Sequence, residues 1–285
     1  MNIQKVGVVG AGTMGSGIAH VFARGGLDVV LCDVEQSLLE RALGTIAKNL
    51  DREVAKDKIT VANRDSALGR IQAVADRARL AACDFVVEAA TEKFEIKAGI
   101  FRELDALMRP EVILASNTSS ISITKLAALT KRPGKVVGMH FFNPVPVMKL
   151  VEVIQSDKTD PAIAKTTVEL CSKFGKTPIL VKDIPGFIVN RFLCLIYNES
   201  CNMILNGSAG AEEIDQAMKL GCNWPMGPNE IMDLAGVDVC GFAMEAMYKM
   251  TGEERYKPSP LFKKMIDEKK LGRKTGKGFY EYTKK

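Results

Sequence analysis

Lys5–Asp33 reads KVGVVGAGTMGSGIAHVFARGGLDVVLCD. Val6–Val9 is an apolar run of strand length. Gly10-Ala11-Gly12-Thr13-Met14-Gly15 breaks it, and Ile18, Val21 and Phe22 follow at helical spacing. Gly25-Gly26 stops that helix, and Val29–Leu31 forms a second apolar strand running into Asp33. A bare G-x-G-x-x-G string is common in glycine-rich loops. Set between a strand and a helix, with an acid 18 residues past Gly15 at the end of the next strand, it is the signature of a dinucleotide-binding βαβ unit. Gly10 allows the tight turn, Gly12 lets the backbone approach a pyrophosphate, and Gly15 lets the helix pack close to the strand. Thr13 and Met14 fall in the first helical turn, where free N–H groups and the positive dipole end hold phosphate. Asp33 is placed to accept both ribose hydroxyls and to repel a 2′-phosphate, and no Arg or Lys lies between it and Gln36. The expected cofactor is therefore NAD(H) rather than NADP(H), bound by Gly10, Gly12, Thr13, Met14, Gly15 and Asp33.

Working outward, 285 residues, 47% of them hydrophobic and 26% charged, describe a globular chain with room for two domains. Its seven cysteines are scattered and include no C-x-x-C pair. Reduced thiols in a cytoplasmic setting are expected, with neither a disulfide framework nor a metal site. No charged and apolar leader precedes Lys5, so no targeting peptide is expected in this chain. The longest apolar run, Phe187–Ile196, is interrupted by Asn190 and Arg191, which argues against a membrane span. A net charge of +5 suits a polyanionic small molecule and equally an ordinary solvated surface. With no basic-aromatic platform and no helix-turn-helix pattern, nucleic acid is not the expected partner.

Beyond Asp33, Leu38, Leu39, Ala42, Leu43, Ile46, Leu50 and Val54 recur at helical spacing. The opposite face carries Arg41, Lys48, Arg52 and Lys56, either a solvated face or a clamp for a phosphorylated tail. A shorter helix follows near 61–70. Strands are expected at 71–75, 85–89, 112–115, 135–139, 149–154 and 177–181. Helices are expected at about 94–108, with Thr91 or Glu92 as its cap, at 123–129 and at 161–174. Ser116-Asn117-Thr118-Ser119-Ser120 ends one strand, as a capping turn or as a hydrogen-bonding lip over a ligand. In Phe142-Asn143-Pro144-Val145-Pro146 two prolines exclude helix and point to an extended loop. The hinge Lys182–Phe187 separates this α/β half from helical stretches at 188–206, 211–220, 229–236 and 239–250, with the turn Pro225–Pro228 between them. Apolar residues on several faces of those helices suggest a dimerisation unit. The tail Gly272–Tyr282 reads as a basic turn docked by Phe279 and Tyr280. The expected architecture is α/β: a Rossmann-type domain with a helical insertion over 1–184, then an all-α domain over 185–285.

Of the two histidines, His20 sits inside the first helix and suits packing. His140 closes a strand at the sheet edge where a bound nicotinamide would lie. Oxidising an alcohol needs a base for the hydroxyl proton, and imidazole is the side chain whose ordinary titration lies near neutrality. Glu152 either returns on a neighbouring strand to bind the other ring nitrogen or is an ordinary strand carboxylate.

The motifs GAGTMGSGIA (10–19), SNTSS (116–120) and HFFNPVPVMKLVE (140–152) occur here in order with PGFIVNR (185–191), AMKLGCNWPMGPNE (217–230) and GRKTGKGFY (272–280). As a set they make the chain resemble the L-3-hydroxyacyl-CoA dehydrogenase family along its length, in particular the compact bacterial 3-hydroxybutyryl-CoA type. Cys222-Asn223-Trp224 carries nothing over. The resemblance implies reversible NAD-dependent interconversion of (S)-3-hydroxyacyl-CoA and 3-oxoacyl-CoA, with 3-hydroxybutyryl-CoA and acetoacetyl-CoA as substrates in fatty-acid or butyrate metabolism. It places His140 as base and Glu152 as its orienting carboxylate. Ser119 and Asn190 would bind the reacting oxygen, Asn190 from the helical domain. Glu92, Lys97, Asn117, Ser119 and Asn143 would lie near NAD, and Lys56 near the CoA phosphates, with Arg52 of the same basic face as a further substrate-binding candidate. A homodimer through the helical domain is expected from its apolar helix faces. Two other readings share these features: a β-hydroxyacid dehydrogenase acting without CoA, and a non-catalytic, crystallin-like NAD-binding protein.

Overall fold

The computed structural model describes residues 3–282; the expected outer domain limits, 1 and 285, lie outside the described residues. The chain divides after Phe187 into two compact units.

In the first unit the strands are β1 (Lys5–Val9), β2 (Asp28–Cys32), β3 (Ile71–Val74), β4 (Phe85–Glu88), β5 (Ile113–Ser116), β6 (Val136–Phe141), β7 (Leu150–Gln155) and β8 (Thr177–Lys182). They form one sheet in the order β3-β2-β1-β4-β5-β6-β7-β8. Every neighbouring pair is parallel except β6 and β7, which run antiparallel. The helices are α1 (Thr13–Arg24), α2 (Gln36–Val54), α3 (Val61–Gly69), α4 (Phe94–Leu107), α5 (Ile123–Ala127) and α6 (Pro161–Lys173). They cover both faces, which is why the central strands are continuous apolar runs rather than alternating ones. β4 and β5 are buried at every position. One apolar cluster joins the sheet to α1, α2 and α6 through Phe22, Ile46 and Leu170, and a second joins it to α4 and α5 through Phe101, Leu104 and Leu126. The strand order reverses between β1 and β4, so their carboxyl ends open the crevice where open α/β sheets take ligands.

Three local expectations are corrected. Neither Thr91 nor Glu92 caps α4; Lys93 holds that position without a side-chain bond, because the Glu92 carboxylate is drawn to the loop after β5. The cap of α5 is Ser122, which accepts from the Lys125 N–H. The loop from Asn143 to Pro146 is a turn, not extended: the Pro144 carbonyl accepts from the N–H groups of Val147 and Met148 at 2.9 and 3.0 Å. Proline excludes helix, but its fixed φ is well suited to a turn.

The second unit holds α7 (Val189–Leu205), α8 (Ala211–Cys222), α9 (Pro228–Ala235), α10 (Val237–Thr251) and α11 (Pro260–Asp267) around Cys194, Tyr197, Cys201, Met232, Met244 and Phe262. α11, absent from the helices expected above, is a two-turn helix that starts at Ser259-Pro260, a cap followed by proline in the first turn. The tail is tied down by two buried carboxylates. Asp233 accepts from the N–H groups of Phe279 and Tyr280 at 3.0 Å, and Asp215 from the Tyr280 hydroxyl at 2.7 Å. No helix among the described residues is long and apolar enough to cross a membrane. All seven cysteines are unpaired, and all but Cys222 are buried.

Candidate active site

The glycine turn lies between β1 and α1. Gly10 takes a positive φ of 103°, and a Cβ there would stand 2.7 Å from the Ala89 carbonyl oxygen. A Cβ on Gly15 would come within 1.7 Å of the Gly10 carbonyl oxygen, so α1 can meet the turn only through glycine. At Gly12 nothing lies within 4 Å of that position, which leaves open the approach a pyrophosphate needs. Asp33 follows β2, and its carboxylate accepts from the Ala11 N–H at 2.7 Å and the Glu35 N–H at 3.1 Å. A cavity of about 290 Å³ runs from Gly10 and Gly12 past Asp33 and Glu35 to Ile96 and Ile100. The glycine turn and the Asp33 carboxylate that line it are the groups a dinucleotide site needs. Arg77 also lines it, paired to Glu103. This guanidinium, 44 residues from Asp33 in sequence, reaches the crevice only because β3 lies beside β2, so a search of the residues near Asp33 misses it. Thr13 lines a neighbouring cavity and Met14 packs on the core.

His140 lies within β6 rather than closing it, and Glu152 is its direct partner on antiparallel β7. The register puts both side chains on one face of the sheet. Nδ1 of His140 bonds to Oε2 of Glu152 at 2.7 Å, with His140 5% and Glu152 1% exposed. The carboxylate can only accept, so it fixes the proton on Nδ1 and leaves the Nε2 lone pair for a substrate proton. Phe142 and Phe187 pack their rings 4.6 and 5.6 Å from the imidazole, holding its plane. The other histidine is structural. His20 is fully buried on α1, 3.4 Å from Glu53, and burial, partly opposed by Glu53, drives its pKa down to about 4, so it stays neutral.

The ends of β4 and β5 are tied by charge. Glu88 and Lys97, both fully buried, meet at 2.8 and 2.9 Å, and Glu88 also accepts from the Ser116 hydroxyl and the Ala90 N–H. Lys97 reaches the Ala90 carbonyl and, at 3.3 Å, Glu92. Glu92 in turn accepts from the N–H groups of Ser119 and Ser120 at 2.9 and 3.0 Å. Burial opposes the Glu92 charge, but Lys97 and the hydrogen bonds from Thr118, Ser119 and Ser120 outweigh it and hold the carboxyl below its ordinary value. Asn117 accepts from the Phe141 N–H at 2.9 Å and so pins β6 next to His140. The Ser116–Ser120 stretch is thus a braced lip, its helix-capping reading being taken over by Ser122.

A second cavity, about 320 Å³, has Thr13, Ser16 and Gly17 of α1 on one side and Arg41, Thr45 and Asn49 of α2 on another, with Asn143–Pro146 closing it. Helical spacing puts Arg52 on the same stripe as Arg41, Thr45 and Asn49. Arg52 bonds to Asn49 at 3.4 Å, and Lys56 is exposed just past the end of α2. Asn190 stands in the first turn of α7, in the helical unit.

Residues 5–184 match the NAD binding domain of 3-hydroxyacyl-CoA dehydrogenase and residues 186–282 its C-terminal domain. The chain belongs to the 3-hydroxyacyl-CoA dehydrogenase family. It is 48% identical over 280 residues to the 3-hydroxybutyryl-CoA dehydrogenase of Bradyrhizobium diazoefficiens, covering 98% of this chain and 96% of that one. With the Clostridioides difficile 3-hydroxybutyryl-CoA dehydrogenase it shares 45% identity, covering 99% and 100%. The crystal structure of (S)-3-hydroxybutyryl-CoA dehydrogenase PaaH1 from Ralstonia eutropha superposes with a TM-score of 0.97 at 46% identity, covering 99% of this chain and 100% of that one. Membership makes the chain an NAD-dependent oxidoreductase. If the Asp33 carboxylate holds the ribose hydroxyls, Asp33→Ala should raise the NADH KM by about 10–100-fold, the worth of one or two charge-assisted hydrogen bonds. It should narrow the NADH-to-NADPH ratio of kcat/KM as well, the more so with Arg77 nearby. An unchanged ratio would remove Asp33 from cofactor selection.

Proposed function

We propose that this chain interconverts (S)-3-hydroxybutyryl-CoA and acetoacetyl-CoA, His140 moving the proton and Glu152 orienting it. The observation that carries the reading is the buried 2.7 Å bond from His140 Nδ1 to Glu152. Bound NAD supplies the hydride acceptor for the C3 hydrogen. His140 Nε2 takes the hydroxyl proton of the substrate, and Glu152 stabilises the imidazolium that results. In the reverse direction the same Nε2–H returns the proton to the oxygen. Ser119, on its braced loop, and Asn190 are assigned to the reacting oxygen. Glu92, Lys97, Asn117 and Asn143 are assigned to the surroundings of NAD, Glu92 and Lys97 mainly by bracing, since their charged groups are engaged within the protein, as is the Asn117 side-chain oxygen. The α2 stripe ending at Arg52 and, just past the helix, Lys56 offer cations for the CoA phosphates, with the cavity above the stripe for the acyl-CoA arm.

The same reading takes the protein to be a cytoplasmic homodimer formed through the helical unit. Free, buried thiols suit a reducing compartment. Phe192 on α7 and Phe242 on α10 are 64% and 61% exposed, apolar surface suited to a second copy. Light scattering that returned the monomer mass of 31.1 kDa would refute the dimer. The reaction is tested by NADH consumption with acetoacetyl-CoA, longer 3-oxoacyl-CoA esters and free acetoacetate. Acetoacetate, lacking the CoA arm, should show a lower kcat as well as a higher KM, because remote binding energy contributes to the transition state. Equal turnover of the free acid would favour a dehydrogenase that ignores CoA.

A further inference from the structure

Lys176, in the turn between α6 and β8, is 7% exposed. Its ammonium donates to the Val145 carbonyl and, at 2.8 Å, to the Met148 carbonyl. These two groups belong to the turn that begins at Asn143 and supplies a wall of the 320 Å³ cavity. Val145, also buried, packs into the notch left by Gly17 on α1, where a Cβ would stand 2.7 Å from the Val145 Cβ. The turn is therefore held at two points. Val145 is clipped to α1, and a cation sits beneath the backbone on both sides of Pro146 and Val147. Sequence places Lys176 about 30 residues from the turn it supports, and no motif marks it.

From this geometry we infer that Lys176 is a positioning residue for substrate binding, fixing the Asn143–Met148 turn as the wall against which the acyl-CoA arm lies. The inference rests on reading the cavity as the acyl-CoA site. The charges that face Lys176 come from α1 and α2 and do not cancel the cost of its burial. Arg24 on α1 and Glu53 on α2 pair at 3.0 Å, and His20 beside them is neutral. Burial first, and Arg24 second, make the Lys176 charge harder to keep, while Glu53 supports it. A buried cation spent on two carbonyls of one turn is a costly way to hold a loop that does nothing. His140 and Glu152, by contrast, are fixed by strand pairing between β6 and β7, which does not involve Lys176.

The test separates binding from chemistry. Lys176→Met should raise the KM for acetoacetyl-CoA by at least about tenfold, the worth of a charge-assisted hydrogen bond, with kcat held within about threefold. Lys176→Gln, which keeps a shorter donor, should fall between, and it replaces the Met variant if that one does not fold. Thr45→Trp, which fills the cavity from α2 without touching Lys176, tests the cavity assignment separately and should raise the same KM. A fall in kcat with KM unchanged is what a merely structural lysine gives through a smaller folded fraction, and it would overturn the inference. If Thr45→Trp raises KM while both Lys176 variants leave it alone, the lysine's role fails and the cavity stands. If none of the three moves KM, the acyl-CoA assignment of the cavity fails, and the role of Lys176 falls with it.

Discussion

His140→Asn is expected to lower kcat by about 10²–10⁴-fold, the usual contribution of a positioned acid–base group, while leaving the affinity for NADH close to that of the unaltered protein. The two effects separate because His140 does not line the cavity that runs past Asp33. Glu152→Gln sharpens the test. A carboxylate can only accept, so it keeps the proton on Nδ1; an amide NH₂ facing Nδ1 would donate, move the proton to Nε2 and remove the lone pair that receives the substrate proton. The glutamine variant should therefore lose much of what the asparagine variant loses. The double variant should be little worse than either alone, because the two groups act as one unit. Stopped-flow measurement of NADH oxidation, paired with fluorescence titration of NADH, gives both numbers. Losses that simply multiply in the double variant would mean that Glu152 acts independently of the imidazole, and unchanged turnover in His140→Asn would remove the proposed base.

Most of this geometry could be read from the chain because the signals were local. The 29 residues from Lys5 to Asp33 contain strand, turn, helix, strand and acid, each set by its own glycine or apolar spacing, and the fold follows the same order. His140 and Glu152 are 12 residues apart, with a proline-bearing turn between, short enough to suggest that one strand returns beside the other. What stayed hidden depends on contacts across the sheet. Arg77 enters the crevice beside Asp33 because β3 pairs with β2. Lys176 reaches under the 143–148 turn because β8 lies beside β7, starting opposite Leu150. Glu92 looks like a helix cap by position, yet three hydroxyl-bearing residues on the next loop compete for its carboxylate and win. Spacing along one element says nothing about such competitions, since the rival partner arrives from another strand.

The same cross-sheet logic makes Glu88 and Lys97 the pair whose disruption should cost the first unit most stability. Removing one member of a fully buried ion pair leaves the other charge desolvated and unpaired, typically a loss of about 3–5 kcal/mol. For a unit of this size that is a fall in melting temperature of roughly 6–20 °C. In Glu88→Gln the Lys97 ammonium keeps neutral oxygens, those of the Ala90 carbonyl and the new amide, and the longer contact to Glu92, but loses its buried counter-charge. In Lys97→Met the Glu88 carboxylate keeps Ser116 and Ala90 as donors but no cation. The double variant, Glu88→Gln with Lys97→Met, keeps an amide oxygen for the Ala90 N–H, turns its NH₂ toward the Ser116 hydroxyl oxygen, and buries no net charge. It should be more stable than either single variant, although it lacks the whole ion pair. Denaturant unfolding of the four proteins in this cycle measures the coupling directly. A double variant destabilised by the sum of its parts would show that the two side chains stabilise the sheet separately, and that the Lys97 bridge from Glu88 to Glu92 does not brace the Ser116–Ser120 lip.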